Sequence, residues 1–187
     1  IKEEVSKENI KIYLGTQYRH CRIISNQKTE CDFTPPHDVL ERTTGEYLPK
    51  GRDAELFTWM TKKSYDLLCD HPINKDRIAR GLNPANSIWI WGQGTKPQLT
   101  NINEKYGING CVISAVDLIK GIGYFAGIES LNIEGATGNI HTNFEGKAAA
   151  AINAYKDGKD FIYLHLEGTD ECSHQRSLEN KIKCAEY

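Results

Sequence analysis

The chain has 187 residues, enough for one domain or two small ones, and its 39% hydrophobic and 26% charged residues are ordinary for a soluble globular protein. A net charge of −2 leaves no basic excess for gripping nucleic acid or an anionic membrane. No apolar run is as long as a transmembrane helix, and the opening Ile1-Lys2-Glu3-Glu4 lacks the composition of a secretory signal. The six cysteines, at 21, 31, 69, 111, 172 and 184, form no Cys-x-x-Cys pair. That spacing argues against a structural zinc cluster and suits reduced thiols in the cytoplasm. The sequence starts inside a charged segment and stops at Tyr187 within a helical pattern, so the expectation is a piece of a longer protein.

Lys11 to Leu14 and Tyr18 to Ile24 read as two strands separated by a turn at Gly15. Arg19, His20 and Arg22 either bind an anion or form the solvated face of an edge strand. Thr34-Pro35-Pro36-His37-Asp38 reads as extended, because each proline drives its predecessor out of the α region. Residues 41–52 read as a polar loop. Ala54 to Cys69 carries apolar residues at Leu56, Phe57, Met60, Leu67 and Leu68, an amphipathic helix that ends at His71-Pro72. Ile73 to Arg80 follows as a short basic helix. Its Arg77 is either a phosphate ligand, through guanidinium geometry, or a solvent-facing cation.

Beyond Pro84 the pattern changes. Ser87 to Trp91 reads as a buried strand, Gly110 to Ser114 as another, and Ala115 to Lys120 as a helix leading into the turn Gly121-Ile122-Gly123. Gly121 to Ala126 fits Gly-x-Gly-x-x-Ala, but helix-like residues separate it from its strand, so the dinucleotide reading is rejected. Lys120 stands out as a cation at the edge of that turn. Leu131 to Ile133 reads as a strand, Gly135-Ala136-Thr137-Gly138 as a ligand-accessible loop, Lys147 to Tyr155 as an alanine-rich helix, and Phe161 to Leu166 as the last strand. This alternation predicts a parallel α/β sheet in 83–187, with residues 1–82 as a separate α+β lobe. A sheet retained only in part is expected to expose a strand edge, which allows pairing with a second copy.

The last strand runs straight into Glu167-Gly168-Thr169-Asp170, and sites in open α/β sheets are built where strands end. Asp170 and His174 are four apart and share a face on a helical turn. Two readings are open: half of a metal site, or an N-cap aspartate beside a surface histidine.

Taken in order, Tyr18-Arg19-His20, Thr34-Pro35-Pro36-His37-Asp38, His71-Pro72-Ile73-Asn74, Pro84-Ala85-Asn86, Trp91-Gly92-Gln93-Gly94, Val116 to Gly121, Gly135 to Gly138 and Thr169 to His174 resemble the archaeal type of cofactor-independent phosphoglycerate mutase. The resemblance spans almost the whole chain. It implies an alkaline-phosphatase-like α/β core with an inserted α+β lobe, and a site with two divalent metals, usually manganese. It also implies a serine that carries the phosphoryl group between the hydroxyls of glycerate, in glycolysis. On the matching positions it implies that Asp170 and His174 are ligands of one metal and that Lys120 is catalytic, facing the phosphoryl group. Arg19, His37 and Arg77 become phosphoglycerate-binding residues of the inserted lobe. The sequence departs from the family pattern at Ser173, where glycine is usual, and at Gln175-Arg176-Ser177, so a shifted turn and weaker metal binding are expected. The family's serine and its remaining ligands match nothing in this chain, which is therefore expected to be inactive alone. A phosphatase or other phosphotransferase of the same superfamily, and a non-catalytic binding module, are the competing readings.

Overall fold

The computed structural model describes residues 10–15, 19–25 and 28–187. The chain divides into two compact units, one of residues 1–14 and 20–95, the other of 15–19 and 96–187.

In the first unit β1 (Ile10–Leu14) pairs antiparallel with β2 (His20–Ile24), in the register Ile10↔Ile24 to Leu14↔His20. Tyr18, expected to open the second strand, lies outside the described residues. Alternation turns Ile12 and Ile24 toward a core of Cys31, Phe57 and Met60. Arg22 pairs with Ile12 in register, and its guanidinium lies 4.4 Å over the Phe57 ring and 3.4 Å from Met60 Sδ. Burial there pulls the Arg22 pKa down. The solvated-face reading therefore fails for this arginine. Helix α1 (Ala54–Leu68) supplies Phe57 and Met60 from its apolar stripe. Helix α2 (Pro72–Ala79) follows, with Pro72 in its first turn and His71 Nδ1 accepting from the Ile73 amide at 3.3 Å.

Two local expectations are corrected. The extended run at Thr34 stops at Pro35, and Pro36–Val39 form a 3-10 turn. Proline suits the first position of such a turn, because its φ is preset and its missing donor is not needed there. Ser87–Trp91 is not a strand. Side chains take the place of a ladder: Ile88 N donates to Ser64 Oγ at 2.9 Å, and Trp89 Nε1 donates to the Thr34 carbonyl at 2.8 Å. The first unit runs on to residue 95. Buried Asn74 brackets Ala85, donating to its carbonyl at 3.0 Å and accepting from its amide at 2.9 Å, which ties the following segment to the first unit.

In the second unit α3 (Ile102–Tyr106) precedes β3 (Gly110–Ile113), all four of whose residues are buried. Strand β3 lies between β4 (Glu129–Leu131) and β5 (Phe161–Leu164), with both pairings parallel. This is the parallel α/β core that the alternation predicts, with β5 at an edge of the three-stranded sheet. Helices α4 (Asp117–Phe125) and α5 (Phe144–Lys156) make the crossovers, and α6 (Gly168–His174) and α7 (Leu178–Glu186) follow β5. The expected turn at Gly121-Ile122-Gly123 is instead the interior of α4. A Cβ on Gly123 would sit 2.9 Å from Val112 Cγ2, so this glycine serves close helix–strand packing. The stop falls at Gly127, with φ +72°.

All six cysteines are free thiols, Cys21 exposed, Cys69 partly exposed and the other four buried. Under native conditions a thiol reagent should therefore label Cys21 and Cys69 within minutes, and the remaining four only on unfolding. Phe57→Ala should lower unfolding free energy by about 3–5 kcal/mol in a denaturant titration.

Candidate metal centre

The site is built where the chain leaves the sheet. The His165 amide makes the last ladder bond of β5, to the Ile113 carbonyl at 2.9 Å. The Glu167 carbonyl then accepts from the Asp170 and Glu171 amides, at 3.0 and 3.1 Å, and α6 begins. The turn between them holds because of Gly168. A Cβ there would lie 2.5 Å from Cys184 Sγ on α7 and 3.3 Å from the Asn139 carbonyl group, so only glycine fits the passage.

On α6, Asp170 Oδ2 and His174 Nε2 come to 3.4 Å on one face. Both side chains are open to solvent, 64% and 45% exposed. The N-cap reading of Asp170 is not realised: the N-cap is Glu167, and no side chain caps this helix. A carboxylate oxygen and an imidazole nitrogen this close fit a divalent cation as half of a coordination shell. Among the described residues no group of three or more His, Cys, Asp or Glu side chains gathers to complete one. Ser173 does not break the turn. It sits within α6, donating to the Thr169 carbonyl at 2.9 Å and accepting from Lys181 Nζ at 2.7 Å.

Arg19, expected on the lobe, belongs to the second unit. Its guanidinium lies 3.6 Å from Glu167 Oε1 and 3.4 Å from Glu171 Oε1, beside the turn that presents the Asp170–His174 pair. Lys120 stands elsewhere, on α4, where Nζ donates to Asn132 Oδ1 at 3.1 Å. His37 and Arg77 are on separate elements of the first unit. The His37 ring packs edge-on to Trp91 at 5.2 Å, and Arg77 Nε donates to the Asn83 carbonyl at 2.8 Å. Asp170, His174 and Arg19 are thus gathered at α6, and the other expected residues lie on other elements.

Sequence reasoning passed over three residues at the strand ends. Ser114 Oγ, past the end of β3, sits 3.3 Å from His165 Nδ1 and accepts from the Val116 amide at 3.0 Å. The third is Lys147, on α5 and 1% exposed, whose Nζ donates to the His165 carbonyl at 3.2 Å. Burial pushes its pKa down, against a smaller upward pull from the Glu167 carboxylate and Cys184. Its signal was periodicity: Lys147 and Ala154, the buried positions of α5, are seven residues apart and lie on one stripe.

The second unit thus combines a parallel α/β sheet with an acid and an imidazole just past a strand end. The chain belongs to the metalloenzyme superfamily, whose pattern it matches over residues 22–187 and whose members use divalent metals. It is 47% identical over 186 residues to the 2,3-bisphosphoglycerate-independent phosphoglycerate mutase of Methanosarcina mazei, covering 98% of this chain and 46% of that protein. With the mutase of Methanothrix thermoacetophila it shares 42% identity over 176 residues, covering 94% and 44%. Among solved structures, a protein from Pyrococcus horikoshii superposes with TM-score 0.55 at 34% identity, covering 71% of this chain and 34% of that one. The chain spans about half the length of the curated relatives it matches.

Gly168→Ala should destabilise the second unit by about 1–3 kcal/mol. Cys184→Ala should recover part of that loss in the double variant, measured as a non-additive denaturation midpoint.

Proposed function

We propose that this chain is part of a 2,3-bisphosphoglycerate-independent phosphoglycerate mutase, an isomerase of glycolysis that interconverts 3-phosphoglycerate and 2-phosphoglycerate. The observation that carries the reading is the 3.4 Å approach of Asp170 and His174 past β5, in a chain of the metalloenzyme superfamily. The two side chains hold one of two divalent ions, manganese being the metal that the family resemblance implies. When bound, such a pair of ions stabilises both the attacking and leaving oxygens of an in-line phosphoryl displacement.

Lys120 supplies a positive charge toward the phosphoryl group as negative charge develops on it. Arg19, His37 and Arg77 bind the phosphate and carboxylate of the substrate, guanidinium geometry suiting both anions. On this reading the first unit acts as the inserted substrate lobe and the second as part of the phosphatase-like core. The phosphoryl-carrying serine and the remaining ligands come from the rest of the protein, so residues 1–187 alone do not turn over. The protein works in the cytoplasm on a small phosphorylated acid, and β5 is the edge at which further strands or a second copy pair.

Two experiments test the reading. Mn2+ titrated into this chain should broaden the NMR signals of the His174 ring and the α6 amides first, reversibly with chelator, and Asp170→Asn should remove the effect. Broadening scattered over the surface carboxylates would contradict it. In the whole protein, Asp170→Asn should lower kcat by about a hundredfold or more, while Arg77→Ala should act mainly on KM. A wild-type rate that survives chelation would contradict the metal assignment.

A further inference from the structure

Lys147 is the most unusual charge in the described structure. It is 1% exposed, among the largest fully buried side chains, yet it donates to a neutral carbonyl, that of His165. Burying an ammonium is costly, and an apolar side chain of the same length would fill the space more cheaply. Packing therefore does not account for a lysine here. What it grips does.

The His165 carbonyl lies in the gap between the last ladder bond of β5, made by the His165 amide, and the first bonds of α6, accepted by the Glu167 carbonyl. Among the described residues no backbone pairing sets the direction of the chain through that gap. Lys147 reaches it from α5, a helix fixed independently by its Asn143 cap, whose Oδ1 accepts from the Gly146 amide at 2.8 Å. The groups that act on its charge are the Glu167 carboxylate and the Cys184 thiol on α7. Glu167 is itself paired with Arg19. The ammonium thus holds the connector's carbonyl.

We propose that Lys147 is a positioning residue. By donating to the His165 carbonyl, it fixes the turn from β5 into α6, and so the direction in which Asp170 and His174 present their donor atoms. The consequence for metal binding rests on the proposed function; the consequence for the turn does not.

The test is Lys147→Met in this chain, with Lys156→Met on the same helix as control, read by amide hydrogen exchange and thermal denaturation. The expected result is a Tm within about 3 °C of the parent, or higher. The Asp170 and Glu171 amides should exchange about tenfold faster or more, with the Val112 and Ile113 amides unchanged. The variant should also need at least about fivefold more Mn2+ for equal broadening of His174. Unchanged exchange at Asp170 and Glu171 would overturn the proposal. So would a uniform rise at every amide with a fallen Tm, which would make Lys147 a stability residue. If Lys147→Met does not fold, Lys147→Gln is read in the same way, and unfolding of both overturns the proposal too. If Mn2+ does not broaden His174 in the parent, the metal assignment fails, and the exchange rates still decide the role of Lys147.

Discussion

The second unit depends on one constraint: a parallel strand must end, and a helix begin, within a few residues and at a fixed angle. The ladder bond from His165 to Ile113 anchors one side of that change, and the bonds from Asp170 and Glu171 to Glu167 anchor the other. Between them the chain relies on side chains. Gly168 lets it pass between Cys184 and Asn139, Lys147 holds the His165 carbonyl, and Arg19 spans Glu167 and Glu171. Each costs something in isolation, whether backbone entropy, a desolvated charge or a half-buried ion pair. Together they leave α6 a single direction, and the acid and imidazole on it inherit that direction.

The two units are stabilised by different means. The first surrounds Phe57, Met60 and Cys31 with residues from β1, β2, α1 and the extended segment at Ile88 and Ile90. Much of its polar satisfaction is nonlocal and comes from side chains, as Asn74 and Ser64 illustrate. The second is built on a buried central strand, with helices packed closely enough to demand glycine at 123. An α/β core of this kind places chemistry at strand ends. Ser114, His165 and the Asp170–His174 pair all lie there.

Much of this was legible in the residues. The helix expected over 54–69 follows from its apolar spacing and that over 147–155 from its alanines, the strands expected at 110–114 and 161–166 from short β-forming runs, and the parallel sheet from their alternation with helices; the structure places these elements at 54–68, 144–156, 110–113 and 161–164. The Asp170–His174 face followed from a separation of one helical turn. The failures share a cause. An extended segment anchored by side chains has the same composition as a strand, so Ser87–Trp91 was misread. A glycine required for close packing looks like a turn glycine, as at 121–123. A lysine is presumed to be outside, which hid Lys147. The partners of Arg19 are far away in sequence, so its pairing with Glu167 and Glu171 is not legible from local spacing. In each case a tertiary contact decided the outcome.

The account is tested most directly by anomalous diffraction at the manganese edge from crystals of the whole protein. It predicts a peak about 2.0–2.3 Å from both an Asp170 carboxylate oxygen and a His174 ring nitrogen, typical of first-row divalent ions on such donors. A metal peak elsewhere, with Asp170 and His174 still paired and binding no ion, would contradict it.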